Sequence, residues 1–289
     1  MNLRVRESKF LGYQKLLLKE AKILKIFKDG QPAKACSAGV SCQIITDKTP
    51  FYAESGGQVG DRGTIKKGRS TFTVENTIKA GKVFIHCGKA ESGKFKINDA
   101  VSCEVDKALR QAIARAHTAT HLLQAALREI LGEHIQQCCS LVEPDRLRFD
   151  FVHFYQLAPG NLRQIEDAVE KNILCGHEVS VKKMTLNQAK KARALAFFEG
   201  KYEPKVRLVS IGECSKELCG GTHLRNSSEV GLFKIISESS IAKGTRRIEA
   251  LTGELARKHL RQYEEQVNKA CELLRISDEA LVAAVRDKI

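Results

Sequence analysis

The chain has 289 residues, with 48 Lys and Arg against 34 Asp and Glu, for a formal charge of +14. That length gives room for two domains and a tail, and that surplus favours a polyanionic partner, because each neutralised phosphate releases counterions. No apolar run of about 18 residues is present, which excludes a membrane-spanning helix, and Met1-Asn-Leu-Arg-Val-Arg lacks the apolar core of a secretory leader. The ten cysteines are irregularly spaced in a long basic chain, and this spacing predicts reduced thiols and a cytoplasmic location.

Residues 1–105 are rich in glycine and in short β-type runs at Ala21–Phe27, Val40–Ile45, Thr71–Val74, Val83–Cys87 and Ala100–Val105. Turn signals at Asp29-Gly30, Gly60–Gly63 and Asn98-Asp99 separate them, which predicts a small β-barrel. From 106 to 253 the pattern mixes helices, expected at 107–131, 161–175 and 185–198, with strands at Leu147–His153, Val179–Met184, Val206–Ile211 and Gly231–Ser237. This part reads as an α+β domain. Residues 254–289 read as a polar helical tail, in which Leu260, Tyr263, Val267, Ala270 and Leu274 trace a narrow apolar seam.

The strongest chemical signal is His117-Thr-Ala-Thr-His121, answered far along the chain by Cys219-Gly-Gly-Thr-His223. Residues four apart share one face of a helix, so both imidazoles of the first motif reach one point. Three imidazoles and a thiolate make a donor set suited to one Zn²⁺. Gly220 and Gly221 free the backbone to wrap around the ion. The metalloprotease pattern is excluded, since no glutamate follows His117. Four protein ligands signal a closed site, in which the ion positions substrate or organises the pocket and does not activate water.

Other motifs carry less. Gly88-Lys-Ala-Glu-Ser-Gly93-Lys94-Phe95 approaches a phosphate-binding loop, but Phe95 replaces the hydroxyl residue and the next run is strand-like, so it reads as a barrel turn. Cys214 lies near Cys219 and competes with it as a ligand candidate on residues alone. Cys138 and Cys139 read as free thiols, and His86, His134, His153, His177 and His259 as solitary structural residues.

In order along the chain, Thr49-Pro-Phe-Tyr-Ala-Glu-Ser-Gly-Gly-Gln-Val-Gly-Asp, Ala116-His-Thr-Ala-Thr-His-Leu-Leu, Leu147-Arg-Phe-Asp-Phe, Glu217-Leu-Cys-Gly-Gly-Thr-His and Gly231-Leu-Phe-Lys-Ile through Arg246-Arg-Ile-Glu-Ala resemble the editing region of alanyl-tRNA synthetases and the freestanding AlaX-type deacylases. The resemblance implies hydrolysis of the ester joining serine or glycine to the acceptor end of alanine tRNA. It implies that Thr120 contacts the side chain of the wrong amino acid and that Gln137 is the glutamine of the editing pocket. It also implies that the Gly56-Gly57-Gln58 loop faces the site and touches tRNA, and that Arg246, with Arg247, lies beside it. Family members commonly carry lysine and glycine where this chain has Cys138-Cys139, which removes a charge beside the pocket. On residues alone, Gly56-Gly57-Gln58 is equally a glycine turn, Thr120 a helix back-bond to a carbonyl, and Arg246-Arg247 a solvated pair. No adenylation core is recognisable, and Lys9-Phe-Leu-Gly-Tyr13 resembles the stretch just after one, so the chain reads as a separate deacylase or as part of a synthetase whose remainder is its partner. The alternatives are a non-catalytic zinc-stabilised tRNA-binding module and a small-molecule metallohydrolase.

Overall fold

The structure, a computed structural model, describes residues 7–195 and 204–286. The Met1–Arg6 segment, residues 196–198 of the expected third helix and residues 287–289 of the tail lie outside the described residues.

Six antiparallel strands close into a barrel in the order 17–28, 41–46, 83–90, 70–80, 63–67 and 100–105, with Ala100–Val105 returning to pair with Leu17–Lys28. Closure leaves no long unpaired edge. Ile23, Ile44, Ile65, Phe72, Phe95, Val101 and Cys103 fill the interior, all fully or almost fully buried. The nucleotide-loop look-alike is part of this wall. Gly88 lies so close to the Thr73 carbonyl of the neighbouring strand that a Cβ has no room, and Phe95 is a core residue. Cys36 and Cys42 form a disulfide, which corrects the expectation of ten reduced thiols. Both flank the tight turn before Ser41–Thr46, and the barrel wall brings them together.

Asp106 caps the long helix Lys107–Leu131 by accepting from Leu109 N–H at 3.0 Å, and Gly132 ends it at φ 113°. At the start of that helix Arg110 turns back into the barrel. Its Nε donates to Asp61 at 2.8 Å, its Nη1 to the Gly12 carbonyl at 2.8 Å and its Nη2 to the Pro50 carbonyl at 3.1 Å, with both residues almost wholly buried. Asp61 also accepts from Tyr52 N–H at 2.6 Å. One buried ion pair therefore fixes the helix against the barrel.

Beyond the helix, strands 137–142, 147–152, 245–252 and 233–242 form a four-stranded antiparallel sheet, neighbours in that order. The long helix and the helix Pro159–Leu174 contribute Leu122, Leu123, Leu127, Ile165 and Val169 to the core shared with Phe149, Phe151 and Ile248 of this sheet. A smaller sheet joins strands 179–185, 205–211 and 215–218. The expected helix at 185–198 is short, Leu186–Lys191, opened by a Thr185–Gln188 capping box and stopped where Arg193 turns left-handed at φ 56°. The tail begins as helix Gly253–Leu274, which buries only Ala256 and Cys271 and leaves Leu260, Tyr263 and Val267 on the surface. His134 and His153 are not solitary: Nε2 of one lies 3.4 Å from Nδ1 of the other.

Candidate metal centre

His117 and His121 project from the middle of the long helix, both almost wholly buried. Cys219 and His223 approach from the loop after Ser215–Leu218. One donor atom from each of the four lies within 4.8 Å of the others. Cys219 Sγ is 3.3 Å from His117 Nε2 and 3.4 Å from His223 Nε2. Tetrahedral zinc, with nitrogen near 2.0–2.1 Å and sulfur near 2.3 Å, separates its ligand atoms by roughly 3.3–3.6 Å. The donor set fits such an ion, and the two Cys219 separations match its ligand spacing.

Each histidine has a different environment at its other ring nitrogen. His117 Nδ1 meets Gln58 Oε1 at 2.7 Å, and His223 Nδ1 meets Thr118 Oγ1 at 3.3 Å. His121 Nδ1 has no hydrogen-bond partner among the described residues, and its nearest carboxylate oxygen is Glu217 Oε2 at 3.5 Å. Outer contacts of this kind fix the tautomer and aim Nε2 at the metal. Sequence reasoning assigns no such role to Thr118, Glu217 or Gln58. Thr118 lies between the two histidines and Glu217 opens the Glu-Leu-Cys-Gly-Gly-Thr-His run, so proximity to a ligand is the available signal.

Burial sets the protonation of the group. It pushes the His117 imidazole down to about 3 and holds His121 and His223 well below their ordinary value, with mutual repulsion and Arg207 adding to it. All three are therefore neutral at pH 7, as metal ligands must be. Burial also pushes the Cys219 thiol up to about 11, opposed by the Gly221 N–H that donates to Sγ at 3.3 Å. Glu217 is pushed up to about 8 by the same desolvation. A divalent cation reverses this balance at the sulfur, since it stabilises thiolate directly.

The loop is clamped from outside. Arg207 donates to the Cys219 carbonyl at 3.0 Å and to the Gly221 carbonyl at 2.8 Å, and its guanidinium lies 4.3 Å from the centre of the Tyr13 ring. The Tyr13 hydroxyl donates to the Gly220 carbonyl at 2.5 Å. Gly221 packs directly on the His117 ring and Gln58, leaving no room for a Cβ, whereas Gly220 faces open space.

The remaining expected site residues fall differently. Gln58 is fully buried, accepts from Thr222 N–H at 2.9 Å and donates to Thr222 Oγ1 at 3.0 Å. Its amide faces the metal ligands. Gly57, at φ 83°, lies against Ser140 with no space for a side chain; Gly56, at φ 60°, is open to solvent. Gln137 is half-buried and donates to Ser140 Oγ at 2.9 Å, and Ser140 lies against Gly57. The Thr120 hydroxyl donates to the Ala116 carbonyl at 2.8 Å, inside the helix. Arg246 is forked onto Glu238 at 2.5 and 2.7 Å, and Arg247 onto Asp150 at 2.7 and 2.8 Å. The arginines are thus not a solvated pair, because cross-strand carboxylates occupy both forks. Cys138 and Cys139 are exposed free thiols, as expected.

Comparison with known families gives the context of this centre. Residues 1–109 match the family described as tRNA synthetases class II (A), and residues 206–249 match the threonyl and alanyl tRNA synthetase second additional domain. The alanine–tRNA ligase of Halorhodospira halophila is 45% identical over 279 residues, covering 96% of this chain and 32% of the relative. That of Thermoanaerobacter sp. strain X514 is 44% identical over the same length and shares, and that of Legionella pneumophila strain Corby is 46% identical over 250 residues, 86% of this chain and 29% of the relative. Over most of its length the chain is similar to a region of alanine–tRNA ligases, and part of it matches their second additional domain. It spans about a third of the length of the relatives it matches. No helix among the described residues is long and apolar enough to cross a membrane.

Proposed function

We propose that the chain is an aminoacyl-tRNA deacylase that removes serine or glycine from mischarged alanine tRNA, with one Zn²⁺ held by His117, His121, Cys219 and His223. The observation that carries this reading is the convergence of four donors within 4.8 Å, with Gln58 and Thr118 orienting two of the imidazoles, in a chain similar to a region of alanine–tRNA ligases. We take residues 1–105, 106–253 and 254–289 as its three units and the translating cytoplasm as its location, where the remainder of a synthetase is a partner for it.

The reaction is attack of water on the ester carbonyl, breaking the acyl–oxygen bond and releasing amino acid and the terminal ribose hydroxyl. The ion, when bound, supplies positive charge that anchors substrate and draws the pocket together. Thr120, already donating to Ala116, retains acceptor capacity, and that lone pair suits a serine hydroxyl. Gln137 and Ser140 flank the Gly57 segment and offer amide and hydroxyl groups to the acyl end. Gly56 is the exposed member of its loop and the one suited to approach an RNA backbone.

A second reading has its own support. Four side-chain donors complete a tetrahedral set and leave no open coordination position, which suits a zinc-stabilised tRNA-binding module without catalysis. Incubation of the zinc-loaded chain with serine-charged alanine tRNA separates the two. Ester loss well above the spontaneous rate, absent in Cys219→Ala, is expected; a spontaneous rate at full zinc occupancy leaves the binding module.

A further inference from the structure

A cleft of about 510 Å³ opens beside the metal loop, and neither Thr120 nor Gln137 lines it. Its walls come from three places: the N-terminal segment with Phe10 and Tyr13, the barrel with Tyr52, Lys79 and Lys82, and the edge strand 179–185 with Lys183. Its floor reaches Gly220, the residue after the metal ligand Cys219. We propose that this cleft is a nucleotide subsite, seating an unpaired nucleotide of the RNA strand whose acylated end lies at the metal centre; it rests on the editing function proposed above.

The chemistry is that of a single-strand binder, in which aromatic rings take bases by stacking and cations track the phosphates. Tyr13 is 45% exposed although its hydroxyl and Arg207 tie it to the metal loop, so it is a rigid platform and not a mobile surface group. Phe10 packs edge-on to Tyr13 at 4.9 Å and flat on Phe84 at 5.3 Å, which stiffens the platform from behind. Lys79, Lys82 and Lys183 are exposed, and among the described residues none has a carboxylate within ion-pair reach. Glu7 is the acid of the lining, so the cleft has a positive balance. Its volume lies within the roughly 300–1,000 Å³ typical of small-ligand clefts. Continuity with Gly220 makes the location specific: a strand crossing the cleft continues to the Cys219 loop without leaving the protein surface.

The test uses uncharged RNA, so its outcome does not depend on hydrolysis. The 289-residue chain is titrated against two labelled hairpins of the same stem, one with a four-nucleotide unpaired 3′ extension and one blunt, by fluorescence anisotropy. The extended hairpin is expected to bind at least tenfold more tightly. Lys79→Glu with Lys82→Glu is expected to remove most of that preference and to lower the salt slope for the extended hairpin by about 0.7 for each phosphate left without a cation, with the blunt hairpin unchanged within twofold. Lys183→Glu is expected to do the same on a smaller scale. All three lysines are exposed, so unchanged circular dichroism is expected of the variants. Equal binding of the two hairpins by the unaltered chain, including binding of neither, overturns the subsite, as does an equal fall for both hairpins in the variants. Extension-dependent binding without ester hydrolysis keeps the subsite and removes the deacylase reading.

Discussion

The long helix and the glycine loop each give two ligands to one centre, yet they are held by different physics. The helix places His117 and His121 by its own periodicity and is fixed against the barrel near its start by the buried Arg110–Asp61 pair. The loop has no periodicity to rely on. Cys219 and His223 are placed by a series of individual contacts: Arg207 on two carbonyls, Tyr13 on a third, and Gln58 and Thr222 sewn together behind His117. A helix ligand therefore leans on the periodicity of its element and on a remote anchor, while a loop ligand depends on many small local fits.

The largest expected effect attacks the helix anchor. Asp61→Ala leaves the Arg110 guanidinium buried without its counter-charge, and breaking a buried pair in this way costs about 3–5 kcal/mol. Denaturant unfolding measures it. A decrease below about 1 kcal/mol means that the carbonyls of Gly12 and Pro50 suffice to hold the helix, and that helix and loop are not anchored so differently.

The next effect attacks the loop. A methyl group at Gly221 runs into the His117 ring and Gln58, both fixed by buried hydrogen bonds, whereas one at Gly220 meets nothing within 4 Å. Gly221→Ala is expected to weaken zinc binding at least a hundredfold and Gly220→Ala less than threefold, as measured by competition with a zinc-sensitive chelator. Equal effects show that loop flexibility and not close approach is what the two glycines supply.

A smaller effect probes the seam between the two regions. Gln58→Leu removes the acceptor shared by His117 Nδ1 and Thr222 N–H, and removal of an outer-shell partner typically weakens metal affinity about 10–100-fold. Gln58→Glu keeps that acceptor and is expected to retain most of the affinity. If both variants bind zinc as the unaltered chain does, Gln58 is a packing residue of the barrel loop.

What can be read from the sequence follows the same division. The ligands are legible because helical spacing and a Cys-x3-His flanked by glycine are local patterns. Five of the six barrel strands are legible as β-type runs between turns, Gly63–Lys67 being the one missed, and Ala100–Val105 and the helix Lys107–Leu131 fall where their patterns place them. The strand Gln137–Val142 escapes sequence reading because Gln-Cys-Cys-Ser has little β-branched character and gains its ladder only by pairing with Leu147–Val152. The partners of Gln58 and Arg246 are illegible for a different reason. Whether a polar side chain turns to solvent or to a partner is decided by register and burial, and Glu238 opposite Ile248 sits close enough to claim the Arg246 fork only once the hairpin has formed. The disulfide is likewise a product of the barrel turn and not of any spacing rule.

The smallest expected effect concerns Thr120, where helix and site compete for one hydroxyl. Its donation to the Ala116 carbonyl is a bond worth about 0.5–1.5 kcal/mol, so Thr120→Val, nearly the same in shape, is expected to change stability by no more than that. The hydroxyl oxygen still has a lone pair, and a serine ester has a hydroxyl to donate where a glycine ester has none. Comparing hydrolysis of the two esters therefore isolates the contact: Thr120→Val should slow the serine ester by about tenfold and leave the glycine ester within twofold, a change of about 1.4 kcal/mol for one hydrogen bond to substrate. A parallel decline of both esters means that the hydroxyl serves the helix alone. The helix would then contribute ligands to the centre, and discrimination between substrates would have to arise from the loop and from the strand that carries Gln137.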